Sequence, residues 1–122
     1  MHDVKLLDKE KKILLIKWIG MVEPNEILEA NTKLKESIES FSSPGFDLLV
    51  DMTNVKVMKQ DTRDELVKHQ QMLLTLGMNR AAVVVQGALA KMQLNRTTRE
   101  SKHEREFHFD TYEQAYKYLI AN

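Results

Sequence analysis

Phe46-Asp47-Leu48-Leu49-Val50-Asp51-Met52, read together with Arg80-Ala81-Ala82-Val83-Val84-Val85-Gln86, decides the fold. Each run is short and mostly apolar, and each leads into a stretch whose apolar residues recur at helical steps. Two strands each followed by a helix describe an α/β layer. Asp51, Thr53 and Asn54 stand where the first run ends. That is the carboxyl end of a strand, the edge at which open α/β sheets bind ligands or partners.

Upstream of these runs, residues 4–7 and 13–19 read as two strands, and the charged link at 8–12 is short enough for a hairpin. Leu14, Ile16 and Trp18 share one face of the second strand, while Ile13, Leu15 and Ile19 share the other. Only Lys17 interrupts this, so the strand is expected to be covered on both sides, and Gly20 closes it. Pro24 suits the first turn of a helix whose apolar stripe is Ile27, Ala30, Leu34, Ile38 and Phe41. Residues 42–45, Ser-Ser-Pro-Gly, end that helix.

After the third strand, residues 53–60 form an irregular stretch, and Asp61 is the expected cap of a second helix. Its apolar face is Leu66, Val67, Gln70, Leu73, Leu74 and Leu76, and Gly77 stops it. Residues 81–85 carry no charge and read as the centre of the sheet. Beyond Gly87, Ala88, Leu89, Met92 and Leu94 begin another amphipathic segment, but residues 95–102 have no apolar stripe. Residues 104–109 alternate as a half-buried edge strand should, with Phe107 and Phe109 opposite Glu106 and His108. Asp110 is the expected cap of a last helix, with Glu113 completing a capping box and Tyr112, Ala115, Tyr116 and Leu119 facing inward.

The expected fold is therefore α/β: a single-layer mixed, mostly parallel sheet in the order ββαβαβαβα, with helices packed on it. The order leaves open whether helices cover one face or both. A chain of 122 residues without repeats or linkers fits one domain, residues 1–122. The absence of cysteine excludes disulfides and thiolate chemistry. Lys plus Arg and Asp plus Glu both total 18, so no global field gathers nucleic acid. The amino terminus lacks the apolar core of a signal peptide, and residues 13–19 are too few to span a bilayer. We expect a cytoplasmic protein with no membrane insertion and no nucleic-acid partner.

Three stretches carry a resemblance to a known family. Gly20-Met21-Val22-Glu23-Pro24-Asn25-Glu26 is a glycine after the second strand followed by the first helix, and Leu48-Leu49-Val50-Asp51-Met52-Thr53-Asn54-Val55 is an apolar strand ending in aspartate, apolar, small hydroxyl. Arg80 to Val85, the Phe107-Phe109 strand and residues 112–119 form the terminal block. Together they resemble the STAS-type, SpoIIAA-like group, the fold of bacterial anti-sigma-factor antagonists, related in outline to Sec14-type lipid-binding domains. One departure stands out. Where phosphorylated antagonists carry an Asp-Ser-Ser-Gly type motif, this chain reads Asp61-Thr62-Arg63-Asp64. Thr62 sits near a helix amino terminus that favours added negative charge, yet Asp61, Asp64 and Glu65 would repel a phosphate.

The resemblance implies a non-enzymatic regulatory or protein-interaction module acting through Asp51, Thr53, Asn54, Asp61, Thr62 and Arg63. Asp, Thr and Asn also satisfy backbone groups in turns, and acidic residues are common in a first helical turn, so each has a plainer reading. Arg96 and Arg99, in the densest basic stretch, are candidate anion contacts, although Glu100, Glu104 and Glu106 interleave with that stretch. No catalytic constellation and no metal site is expected: His2, His69, His103 and His108 lack zinc-site spacing, and no serine or threonine has an evident base. His69 is expected to be exposed or at a helix boundary. No cofactor is expected. The alternative is a carrier of a small apolar ligand or lipid, with a pocket floored by Val83, Val85 or the methionines Met58, Met72, Met78 and Met92. Exposed edge strands in a small mixed sheet predict a two-fold homodimer.

Overall fold

The computed structural model describes residues 1–56, 58–87, 92 and 105–121. Five strands form one sheet: β1 (His2–Asp8), β2 (Ile13–Gly20), β3 (Phe46–Val55), β4 (Met78–Val84) and β5 (Glu106–Phe109). The helices of the described residues are α1 (Pro24–Glu39), α2 (Gln60–Thr75) and α3 (Tyr112–Ala121). The segment expected from Ala88 to Leu94 lies outside the described residues, Met92 excepted. So do His103, Arg96 and Arg99.

Strand order is β1-β2-β3-β4-β5, with β1 antiparallel to β2 and every later neighbour parallel. Each strand is thus laid beside its predecessor in the chain. The middle strand is β3 and not β4, a correction to the expectation that residues 81–85 form the centre. The uncharged run of β4 is explained differently: it is paired by β3 and β5 and covered on both faces, with Ala81 to Val85 all nearly inaccessible.

Helices cover both faces. Strands advancing in one direction with right-handed crossovers place α1 and α2 on the same side. There Ile27, Ala30 and Leu34 of α1 and Leu66 and Leu73 of α2 bury Leu14, Ile16, Trp18, Leu48, Val50, Ala81 and Val83. On the opposite face α3 lays Ala115 and Leu119 over Ile13, Leu15, Leu49, Ala82 and Val84. The alternation of β2 read from sequence is therefore the division between two cores.

Element ends follow local chemistry, with two corrections. α1 begins with Pro24 in its first turn and a capping box in which Glu23 and Glu26 each accept from the other's backbone N–H. α2 starts one residue before Asp61, after an extended Lys59, so Asp61 is inside the helix and does not cap it. At α3 the box is displaced by one residue: the Thr111 hydroxyl accepts the Gln114 N–H at 3.2 Å, and Gln114 Oε1 accepts the Asp110 N–H at 3.2 Å. Asp110 and Glu113 do not form that box, and Glu113 instead pairs with Lys117 at 2.9 Å. Gly77 follows the end of α2 with φ of +102°, a left-handed position that admits glycine without strain. No helix among the described residues is long and apolar enough to cross a membrane.

Candidate functional site

Asp51 lies inside β3 and not at its end, because the strand continues to Val55. Lys17 of β2 stands opposite Asp51, and Ile19 stands opposite Asn54, so Met52 and Thr53 together face Trp18 in a β-bulge. A bulge leaves backbone groups without ladder partners. Asp51 supplies one: its Oδ1 accepts the Thr53 N–H at 3.0 Å and also the Thr53 hydroxyl. Asp51 is buried, Thr53 half-buried, and Asn54 exposed at the rim. On the α3 face, burial raises the pKa of the Tyr112 hydroxyl, and Tyr116 and the Asp51 carboxylate raise it further.

Thr62 is wholly inaccessible, and its hydroxyl donates to the Val22 carbonyl at 2.9 Å. This bond fastens the first turn of α2 to the loop after β2. Lys56 N–H donates to the Gly20 carbonyl at 3.1 Å, so the end of β3 meets the same loop. The two halves of the candidate site, residues 51–54 and 61–63, are thus brought to one end of the sheet by residues 20–22. Asp61 Oδ1 accepts the Thr62 N–H at 2.8 Å, while Arg63 Nη2 donates to Gln60 Oε1 at 2.5 Å. Arg63 Nε is buried without a hydrogen-bond partner. Asn54, Lys56, Lys59, Gln60, Asp61 and Asp64 surround this anchor and are exposed. A phosphoryl group on Thr62 would have to displace the bond to Val22 and open the α2 turn.

Sequence reading missed a polar belt beneath α1 and α2. His69 is not exposed but buried in the middle of α2, 2.5 Å by Nδ1 from Asn31 Oδ1 and edge-on to Trp18 at 5.9 Å between ring centres. Gln70, also buried, donates from Nε2 to Glu106 Oε1 at 3.1 Å, and Glu106 Oε2 meets His108 Nε2 at 2.9 Å. The signal was present, because 66, 69, 70 and 73 fall on one helical stripe. A cavity of about 20 Å³ between α2 and the sheet touches His69, Gln70 and Glu106 among apolar neighbours, with room for about one water.

No protein-family model matches this sequence, and no curated protein does. Solved structures do. A DUF3478-family protein with a SpoIIAA-like fold from Shewanella loihica superposes with a TM-score of 0.72 at 15% identity, over 97% of this chain and 93% of that one. The anti-sigma factor antagonist SpoIIAA in its unphosphorylated form gives 0.70 at 8% identity, over 100% and 98%. An anti-sigma factor antagonist from Mycobacterium paratuberculosis gives 0.62 at 13%, over 98% and 95%. Identities this low speak for the fold, and they do so over essentially whole chains. The chain has the SpoIIAA-like STAS fold.

Proposed function

We propose that this protein is a non-enzymatic regulatory module that binds a protein partner through the surface formed by the end of β3 and the start of α2. The observation that carries this reading is the anchoring of Thr62 to Val22 beneath a ring of exposed polar residues from Asn54 to Asp64. A surface held rigid from below and polar above suits a partner that recognises a preformed shape, since little ordering entropy is lost on binding. The fold likeness to anti-sigma factor antagonists supports a protein partner. With its hydroxyl committed to Val22, Thr62 serves as an anchor in this reading and not as a phosphorylation site.

The rival reading, an apolar-ligand carrier, calls for a pocket of about 300 Å³ or more. The cavity floored by Val83 and Met78 is about 20 Å³, and the roomier hollows, of about 260 and 360 Å³, are open clefts around Phe41, Ser42 and Ser43, away from that floor. Native mass spectrometry after incubation with lipid mixtures checks this directly, and a stoichiometric lipid adduct would favour the carrier.

Photo-crosslinking tests the interaction surface. A photoreactive residue at Asp64 should give a discrete adduct in extracts of the source cell, and the same residue at Lys117 on α3 should not. Asn54→Arg should abolish the adduct without changing the melting temperature. Equal labelling from both positions would sink the proposal.

A further inference from the structure

β1 is an outer strand of the sheet, and its hydrogen-bond phase is fixed by its first residue. Met1 and Ile19 exchange both backbone bonds, N–H of Ile19 to O of Met1 at 2.8 Å and the reverse at 2.9 Å. In an antiparallel ladder such pairs alternate with pairs that exchange none. Asp3 with Lys17 and Lys5 with Leu15 therefore bond inward to β2. His2, Val4 and Leu6 direct their N–H and C=O groups to the open edge.

We propose that this edge pairs with β1 of a second copy of the chain, antiparallel, about a two-fold axis through Val4. Symmetry and hydrogen-bond phase select this register together. Placing Val4 opposite Val4 of the second copy sets His2 opposite Leu6 and Leu6 opposite His2. All three outward-facing residues of each strand then bond, and ten strands form one continuous sheet. The same register sets Asp3 opposite Lys5 of the second copy, and Lys5 opposite Asp3. These are pairs without mutual backbone bonds, where side chains stand nearest.

Within one chain Lys5 Nζ already lies 3.4 Å from Asp3 Oδ2, both groups being largely exposed. Pairing turns this into an alternating square of four charges. A register displaced by two residues toward either end would lose one of the three bonding pairs and set like or unmatched residues opposite Lys5. Leu6, 45% exposed, gains a neighbour across the junction. The proposal concerns a different edge from the partner surface at β3 and α2 and does not depend on it.

The full chain in sedimentation velocity should associate to a dimer, with a dissociation constant of roughly micromolar order for so small a contact. Val4→Pro removes only an edge-facing N–H and no bond of the β1–β2 ladder. It should give monomer with an unchanged circular dichroism spectrum. Lys5→Asp creates two like-charge contacts and should weaken association about tenfold. The charge-swapped Asp3→Lys/Lys5→Asp variant should restore it.

Because the chain has no cysteine, Val4→Cys places a single thiol on the axis, where the expected Cα separation of about 5.5 Å permits a disulfide. It should cross-link rapidly under mild oxidation, and Leu6→Cys, four residues off register, should not. A chain that stays monomeric at about 100 μM, well above the expected constant, overturns the proposal and leaves the edge to an extended segment of another protein. A dimer indifferent to Val4→Pro and not cross-linked by Val4→Cys also overturns it.

Discussion

Two aspartates four residues apart on β3, Asp47 and Asp51, are buried to nearly the same degree and satisfied in opposite ways. Asp47 has a cationic partner: Arg80 Nη2 lies 2.6 Å from its Oδ2, and the same nitrogen donates to the Leu119 carbonyl at 3.2 Å. The Arg80 guanidinium also stands 5.2 Å from the centre of the Tyr118 ring. Asp51 instead accepts from the backbone and hydroxyl of Thr53, two residues along its own strand. One aspartate ties β3 to β4 and to the end of α3. The other ties β3 only to itself. A carboxylate that needs a distant cation makes tertiary structure depend on it, whereas one satisfied locally leaves its surroundings free to serve another purpose.

The largest expected effect breaks the first arrangement. Arg80→Met strands Asp47 without its cation and should cost about 3–5 kcal/mol in urea unfolding, while Asp47→Asn combined with it should recover most of that. The Asp47 hydrogen bond raises the pKa of Arg80 further above its usual value despite partial burial, so the cation persists at any pH at which the fold is studied. Thr62→Val comes next. It leaves the Val22 carbonyl without its buried donor and should cost about 1–3 kcal/mol. Thr53→Val removes one local bond from Asp51 but keeps the backbone N–H, and a loss of about 1 kcal/mol is expected. If Thr53→Val costs as much as Arg80→Met, the contrast between the two aspartates fails.

The smallest effect is pH-dependent and concerns a half-buried carboxylate as a reference. Burial alone would raise the pKa of Glu26, but the amino-terminal ammonium at 2.6 Å, the Glu23 backbone N–H and His2 outweigh it and lower the pKa from the ordinary 4.5. A lowered folded-state pKa contributes stability that is fully present above the unfolded value and is lost as pH falls through the folded one. Glu26→Gln should therefore lower stability modestly at neutral pH, where the contribution is fully present, and the difference from the parent chain should shrink as pH falls below about 4.5. Thermal melts across that range would measure it.

Strand and helix order was legible because each element has a clean period: alternation in β2, three- and four-residue steps in α1 and α2. The two-sided pattern of Ile13 and Leu14 points to a strand covered on both sides, while the element order leaves open whether helices cover one face or both. What escaped was context. Asp51, Thr53 and Asn54 are typical turn residues, so β3 is expected to end at Met52, and only the bulge opposite Trp18 shows how the ladder absorbs Thr53 and Asn54. His69, expected to be exposed or at a helix boundary, falls on the same stripe as Leu66, Gln70 and Leu73, but a polar imidazole is not counted among the apolar residues that define such a stripe. Its burial depends on Asn31 and Trp18, distant in sequence. Asp51 stands out by its place at the end of an apolar run and Thr62 by the register of the family resemblance, but that Asp51 bonds locally and Thr62 reaches Val22 could not be read from spacing.

The strictly sequential sheet has a consequence for how the chain finds its structure. Every strand among the described residues pairs with the strand before it, so no pairing waits for a distant later segment to close the ladder. The entropic cost of each closure is set by the length of chain between neighbouring strands, and it grows only slowly with that length. Such a topology can be assembled in order of synthesis, the β1–β2 hairpin first, each new strand adding to an edge already made. Synthesis from the ribosome and folding then run in the same direction.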